Sequence, residues 1–205
     1  MNAERARIVL MASGVSRGSN MRAIIAATRD GRIDGDVVGA ILTRPDSPAV
    51  AMLQEHGVPV TILSPKELGE QYGTRLFETL ASMRPDLICL AGYMRLLPED
   101  VVRAYPRRIL NIHPALLPKY GGKGMYGARV HEAVLAAGET ESGCTVHYVD
   151  EQYDHGEILL QTKVSILPED TPESLAQRIL PMEHETYPKA IVLALARLDR
   201  SSEPR

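Results

Sequence analysis

Along the first half of the chain, short apolar runs of strand length alternate with stretches of helical period. ARIVLMAS (6–13) reads as a strand, and the Gly/Ser loop GVSRGSN (14–20) leads into the helical pattern MRAIIAATRDG (21–31). DVVGAILT (36–43) is a second strand; the helix SPAVAMLQEHG (47–57) follows, with Ser47 placed to cap it and Gly57 to end it. VPVTILS (58–64) precedes a longer helical segment over 65–83, and DLICLAG (86–92) is a near-continuous apolar run. PEDVVRAYP (98–106) is a short helix bracketed by prolines, and RRILNIHP (107–114) ends the series. Apolar strands separated by helices predict repeated β-α-β units and a parallel sheet covered on both faces.

The second half changes style. GCTVHYVD (143–150) alternates polar and apolar residues, and EILLQTKVSI (157–166) follows the turn EQYDHG (151–156). That pair predicts a hairpin or two adjacent strands at the sheet edge. A final helix starts at TPESLAQRIL (171–180), with Thr171 as N-cap and Pro172 in the first turn, and runs to 198 with a break expected at Pro181. DRSSEPR (199–205) is expected to be a disordered tail. No repeat or linker divides the chain, so one domain over 1–205 is expected.

Composition narrows the setting. At 205 residues, 44% hydrophobic and 24% charged, the chain has the make-up of an ordinary soluble domain with one core. A net charge of −3 supplies no global basic field for nucleic acid, and the Arg103, Arg107 and Arg108 cluster reads as solvated surface. No run approaches the roughly 18 apolar residues of a membrane span, and the N-terminus lacks a signal-peptide pattern. A cytoplasmic, reduced protein is expected. Of its two cysteines, Cys89 reads as core packing and Cys144 has no clear activating neighbour.

Three loops leave the carboxyl ends of strands, where open parallel sheets bind ligands. SGVSRGSN (13–20) precedes a helix N-terminus that could hold an anion, and on its own it fits a phosphate site and a plain tight turn equally. AGYMRLLP (91–98) places Tyr93, Met94 and Leu97 where a strand releases its chain; alone it fits a short helix tucked on the core better than a pocket wall. The third exit carries Asn111 and His113, two apart on a strand and so on one face. A partner carboxylate for His113 is available in Asp150, Glu151 and Asp154. His131 and His184 each lack the second histidine of a zinc motif, and no Gly-x-Ser-x-Gly elbow is present. No metal site and no covalent nucleophile are therefore expected.

NIHPALLPKY (111–120), AGYMRLL (91–97), SGVSRGSN (13–20) and GCTVHYVDEQYDHGEILLQ (143–161) together resemble the folate-dependent formyltransferases. The likeness extends from the first strand to MEHETYP (182–188), and Asn-x-His-Pro-x-Leu-Leu-Pro with a downstream Asp-x-Gly is its specific signal. The resemblance implies an α/β, Rossmann-like, mainly parallel sheet with helices on both faces and an antiparallel C-terminal edge. It implies formyl transfer from 10-formyltetrahydrofolate, as cosubstrate and without metal, to the amine of glycinamide ribonucleotide in purine biosynthesis. Matching positions would make Asn111, His113 and Asp154 catalytic, and would have Gly18, Ser19 and Asn20 hold the nucleotide phosphate. Glu183 would meet the ribose, while Met94, Arg95, Leu96 and Leu97, with Asn111, would line the folate pocket. Residues 1–110 would then form a nucleotide-binding half and 111–198 a folate and catalytic half. The implied partners are these two small molecules, without nucleic acid or membrane, for a monomer or homodimer.

The loop SGVSRGSN is longer than the family's usual Ser-Gly-x-Gly-Ser-Asn, which leaves Ser16 and Arg17 without an assigned role. YGGKGMYGARVHEA (120–133) replaces a shorter family loop, and Lys66 is the candidate for the basic residue that meets the folate. Sister activities share the central motif: formylation of initiator methionyl-tRNA, of a sugar-nucleotide amine, or hydrolysis of the formyl-folate. A catalytically idle sensor of either ligand is the alternative from another class.

Overall fold

The computed structural model describes residues 5–13 and 17–201. Five short strands, β1 (Ala6–Ala12), β2 (Gly35–Leu42), β3 (Val60–Ile62), β4 (Leu87–Leu90) and β5 (Ile109–His113), are joined by helical crossovers. The crossovers are α1 (Ser19–Arg29), α2 (Ala49–Glu55), α3 (Pro65–Leu68), α4 (Tyr72–Met83) and α5 (Glu99–Ala104). Then follow α6 (Ala128–Ala136), β6 (Glu141–Tyr148), β7 (Ile158–Ser165) and α7 (Pro172–Ser201). The sheet order is β3-β2-β1-β4-β5-β6-β7. Pairings from β3 to β5 are parallel, whereas β5–β6 and β6–β7 are antiparallel. The expected mainly parallel sheet with an antiparallel C-terminal edge is what the chain forms.

Side-chain alternation splits the core into two layers. Ile8, Leu10, Leu110 and Ile112 pack with α1 and α7 residues such as Ile24, Tyr187 and Ile191. Val9, Met11, Ile88 and Ile109 face the other way, against Leu76 and Leu80 of α4 and Val101 of α5. Ile109 and its alternate neighbours Asn111 and His113 thus share the second face, as the period of the strand requires. The strand order reverses between β1 and β4, and a ligand crevice is expected at that switch point. The chain closes it at one end by a bond from Ser13 N to Gly92 O (3.0 Å).

Four expectations are corrected. The helical stretch 65–83 is interrupted: Ser64 caps α3, then Gly69 turns with φ 53° into a short 3₁₀ segment before α4. Residues 92–98 form no helix, because Gly92 takes φ 81° and the N–H groups of Met94 and Leu96 donate to side-chain hydroxyls of Ser13 and Tyr153. The last helix does not break at Pro181; α7 runs continuously with Pro181 and Pro188 inside it. A proline in a helix interior costs about 3 kcal/mol, which the burial of Leu175, Ile179, Tyr187, Ala190, Ile191 and Ala194 outweighs. The Tyr187 hydroxyl also reaches Leu90 O (2.9 Å) and Leu110 O (3.1 Å), tying α7 to the two central strands. Finally, helix continues through residues 199–201 of the expected tail, since no breaker precedes Pro204. Residues 202–205, and Ser16 in the phosphate loop, lie outside the described residues.

The N-cap of α7 forms as expected: Thr171 Oγ1 accepts from Ser174 N (3.2 Å) while Thr171 N donates to Ser174 Oγ (3.0 Å). Among the described residues no helix is long and apolar enough to cross a membrane.

Candidate active site

Asn111 and His113 leave β5 toward a carboxylate at the tip of the β6–β7 connection. Asp154 is that carboxylate. Asp150 is bonded to His155 (2.7 Å) and Glu151 to Arg103 (3.0 Å), so neither of the other candidates faces His113. Asp154 adopts φ 53°, an uncommon value for a non-glycine residue, held by contacts on both of its oxygens. Its Oδ2 accepts from Gly122 N (2.9 Å) and lies 3.5 Å from His113 Nδ1. Its Oδ1 lies 3.3 Å from Asn111 Nδ2 and 3.5 Å from His147 Nε2.

His147 was not singled out from the sequence, yet it belongs to the cluster. The antiparallel register pairs Asn111 with His147, which sets both side chains on the same face. His147 Nδ1 donates to Tyr148 O (2.8 Å), which turns Nε2 toward Asn111 Nδ2 (3.1 Å). Both hydrogens of the Asn111 amide therefore have acceptors. The period-2 pattern of 143–150 carried the only signal for His147, and it becomes legible once the strand is paired with β5.

The orientation of His113 is set by a backbone group. A carbonyl can only accept, so the 2.7 Å contact with Tyr120 O places the proton on Nε2 and leaves Nδ1 facing Asp154. Tyr120 takes φ 58° to present that carbonyl, and its hydroxyl donates to Glu139 Oε1 (2.7 Å). Burial lowers the His113 pKa more than Asp154 and the Tyr120 carbonyl raise it, so the free protein holds a neutral imidazole near pH 7. Burial pushes the Asp154 carboxyl up, but the nearby His147, His113 and Gly122 N–H outweigh it and hold it below the usual range. For His113 in the free protein, desolvation thus outweighs the attraction of Asp154.

A cleft of about 550 Å³ gathers Asn20, Met94, Asn111, His113, Asp154 and Glu183 on one surface. Asn20, in the first turn of α1, donates to Glu183 Oε2 of α7 (2.7 Å). Gly18 takes φ 75° as the N-cap of α1, and a Cβ there would meet Met52 Cε at 2.6 Å. Gly18 and Ser19 are not cleft-lining residues. Leu96 and Leu97 line a separate slot beside the cleft. Arg95 borders that slot, stacks over the Tyr72 ring and also borders an adjoining cleft of about 720 Å³ that holds Arg44 and Lys66. Arg17 is exposed. Among the described residues no group of His, Cys, Asp or Glu is arranged to hold a metal ion.

Burial raises Glu183 to about 7, against 4.5 for an ordinary glutamate, with the Asn20 bond opposing only in part. A carboxyl whose folded pKa is raised stabilises the fold below the unfolded value and loses that contribution as pH rises through the folded one. The unliganded protein is therefore expected to lose roughly 3 kcal/mol through this group between about pH 4.5 and 7. Glu183→Gln, neutral at every pH, should remove that loss. Urea denaturation of both proteins at pH 5 and pH 8 checks it; equal pH dependence would show that Glu183 does not titrate in the fold.

A doubly wound sheet with an amide–imidazole–carboxylate cluster at its carboxyl edge, over a cleft of this size, defines a protein built to handle small ligands at its strand ends. The chain belongs to the formyl transferase family, whose profile matches residues 6–191. It is 41% identical over 190 residues to the chloroplastic phosphoribosylglycinamide formyltransferase of Arabidopsis thaliana, covering 91% of this chain and 64% of that protein. The chloroplastic enzyme of the same name from Vigna unguiculata is 42% identical over 91% of this chain and 60% of its own length. The chain thus spans 64% and 60% of these two curated relatives. Among solved structures, glycinamide ribonucleotide transformylase 1 from Symbiobacterium toebii matches with a TM-score of 0.86 and 39% identity, over 94% of this chain and 89% of that one.

Proposed function

We propose that the chain transfers the formyl group of 10-formyltetrahydrofolate to the amine of glycinamide ribonucleotide, giving the formylated nucleotide of purine biosynthesis. The observation that carries this reading is the meeting of Asn111, His113 and Asp154 in a cleft that Asn20 and Glu183 also line. A cleft of about 550 Å³ with an apolar wall and a few converging polar groups suits a bound small molecule. The names borne by relatives matching most of this chain support the same choice.

Each residue has a physical task in this reading. The N-terminus of α1, with Gly18, Ser19 and Asn20, offers N–H groups and a positive dipole end to the nucleotide phosphate. Glu183 accepts from ribose hydroxyls. Met94 to Leu97 and Asn111 surround the folate head, while Arg44, Lys66 and Arg95 face its carboxylate tail from the adjoining cleft. The folate supplies the formyl carbon.

His113 Nδ1, neutral in the free protein, takes the proton from the attacking amine and becomes an imidazolium paired with Asp154. Asn111 turns the longer of its two bonds, that to Asp154, into a donor for the oxygen of the tetrahedral intermediate. A preorganised donor of this kind is worth roughly 3 kcal/mol. His113 then returns the proton to the departing folate nitrogen, so the residues end as they began.

The test is a spectrophotometric assay of purified protein with both substrates. Folate deformylation that strictly requires glycinamide ribonucleotide is expected. Deformylation without an amine, or none at all, would overturn the reading.

A further inference from the structure

The irregular segment 92–98 and the turn that carries Asp154 face each other across a slot lined by the apolar Leu90, Leu97 and Val149 and by the polar Asn111 and Asp154. That composition suits the flat, heteroaromatic head of the formyl donor, and it brings a group attached to that head up to Asn111 and Asp154. The slot is shut. Its volume is about 40 Å³, far below the roughly 300 Å³ at which pockets for small ligands begin.

One side-chain hydrogen bond spans it. The Tyr153 hydroxyl accepts from Leu96 N (2.9 Å), bridging the two segments immediately before Asp154. The other end of 92–98 is fixed twice at the exit of β1, by Met94 N donating to Ser13 Oγ (2.9 Å) and Ser13 N donating to Gly92 O (3.0 Å). Among the described residues the Tyr153 end has one hydrogen bond across the slot, and both of its partners are on the surface: Tyr153 is 36% exposed and Leu96 45%. The asymmetry leaves an anchored end and a releasable one.

We propose that Tyr153 is the gate residue for the formyl donor: its bond to Leu96 holds the slot closed in the free protein and is given up when the donor's head enters. This inference rests on the formyl-donor reading above. Tyr153 acts on binding rather than on the chemical step. A closed state that must open first reduces apparent affinity by the fraction that is open, so weakening the latch tightens binding.

Tyr153→Phe keeps the ring and removes the acceptor. A single partly solvated hydrogen bond is worth about fivefold in an equilibrium. The non-reactive dideaza analogue of the folate should therefore bind the variant about fivefold more tightly by calorimetry, with nucleotide affinity unchanged. The Leu96 amide should exchange with solvent faster in the unliganded variant. Analogue binding that is unchanged or weaker in the variant overturns the gate, as does Leu96 exchange that does not respond. Failure of the wild-type protein to bind the analogue at all sinks the formyl-donor reading and this inference with it, which separates the two.

Discussion

Replacing Asp154 with asparagine is expected to cut turnover by about a thousandfold while leaving the fold and nucleotide affinity in place. The carboxylate is the hub of the cluster: Oδ2 accepts from Gly122 N and lies beside His113 Nδ1, and Oδ1 accepts from Asn111 and lies beside His147 Nε2. Asparagine has the same shape, and its carbonyl oxygen can keep the bond to Gly122 N while its amide turns to His147 Nε2. The orientation of the turn survives for that reason. What disappears is the charge. His113, already lowered by burial, loses the Asp154 attraction that opposes this and becomes a weaker base for the amine proton. Asn111 meanwhile faces a donor where it had an acceptor. Steady-state turnover, nucleotide calorimetry and circular dichroism on the same preparation check the result. Turnover close to wild type would remove Asp154 from the chemistry.

Gly156→Ala should cost at least about a hundredfold in turnover and roughly 2–3 kcal/mol in stability, although residue 156 touches no substrate in the proposed reaction. A Cβ at position 156 would lie 1.9 Å from Tyr148 O and 2.9 Å from Tyr148 C. Those are backbone atoms with nowhere to go. Tyr148 N is bonded to Glu157 O (2.9 Å), and the next residue, Val149, bonds through its N–H to Ile109 O (2.9 Å). Relief has to come from opening the turn, and Asp154 sits two residues away with a backbone angle few residues adopt. The glycine of the Asp-x-Gly pattern is thus explained by how near its backbone comes to the end of β6. His155→Ala, at an exposed neighbour, is the matched control and should cost little. Thermal melts and turnover of the two variants check this; a fully active, equally stable Gly156→Ala would mean the turn does not approach Tyr148 so closely.

The alternation of strands and helices was readable because buried parallel strands and amphipathic helices leave different periods in the chain. The shared face of Asn111 and His113 followed from the same rule. His147 was not readable that way. Its partnership depends on which strand β6 joins and in what register, and within-strand period carries no such information. The groups that orient His113 and Asp154, Tyr120 O and Gly122 N, are backbone atoms that no residue pattern announces. Local rules also lost to packing in α7, where two prolines sit inside a helix that buries Leu175, Ile179, Tyr187, Ala190, Ile191 and Ala194. At 65–83 the opposite happened, and a single glycine cut a helix that the period alone would have continued.

The site draws on two separable parts of the architecture. Asn111, His113, His147 and Asp154 all come from β5, β6 and the turn beyond, a continuous piece of hydrogen-bonded ladder. Asn20 and Glu183, which line the same cleft, come from α1 and α7, two helices packed against each other on one face of the sheet. In the proposed reaction, recognition of the acceptor and the chemical step fall to separate parts of the chain that share a boundary. Redesign toward a different amine would begin in the two helices and leave the ladder untouched.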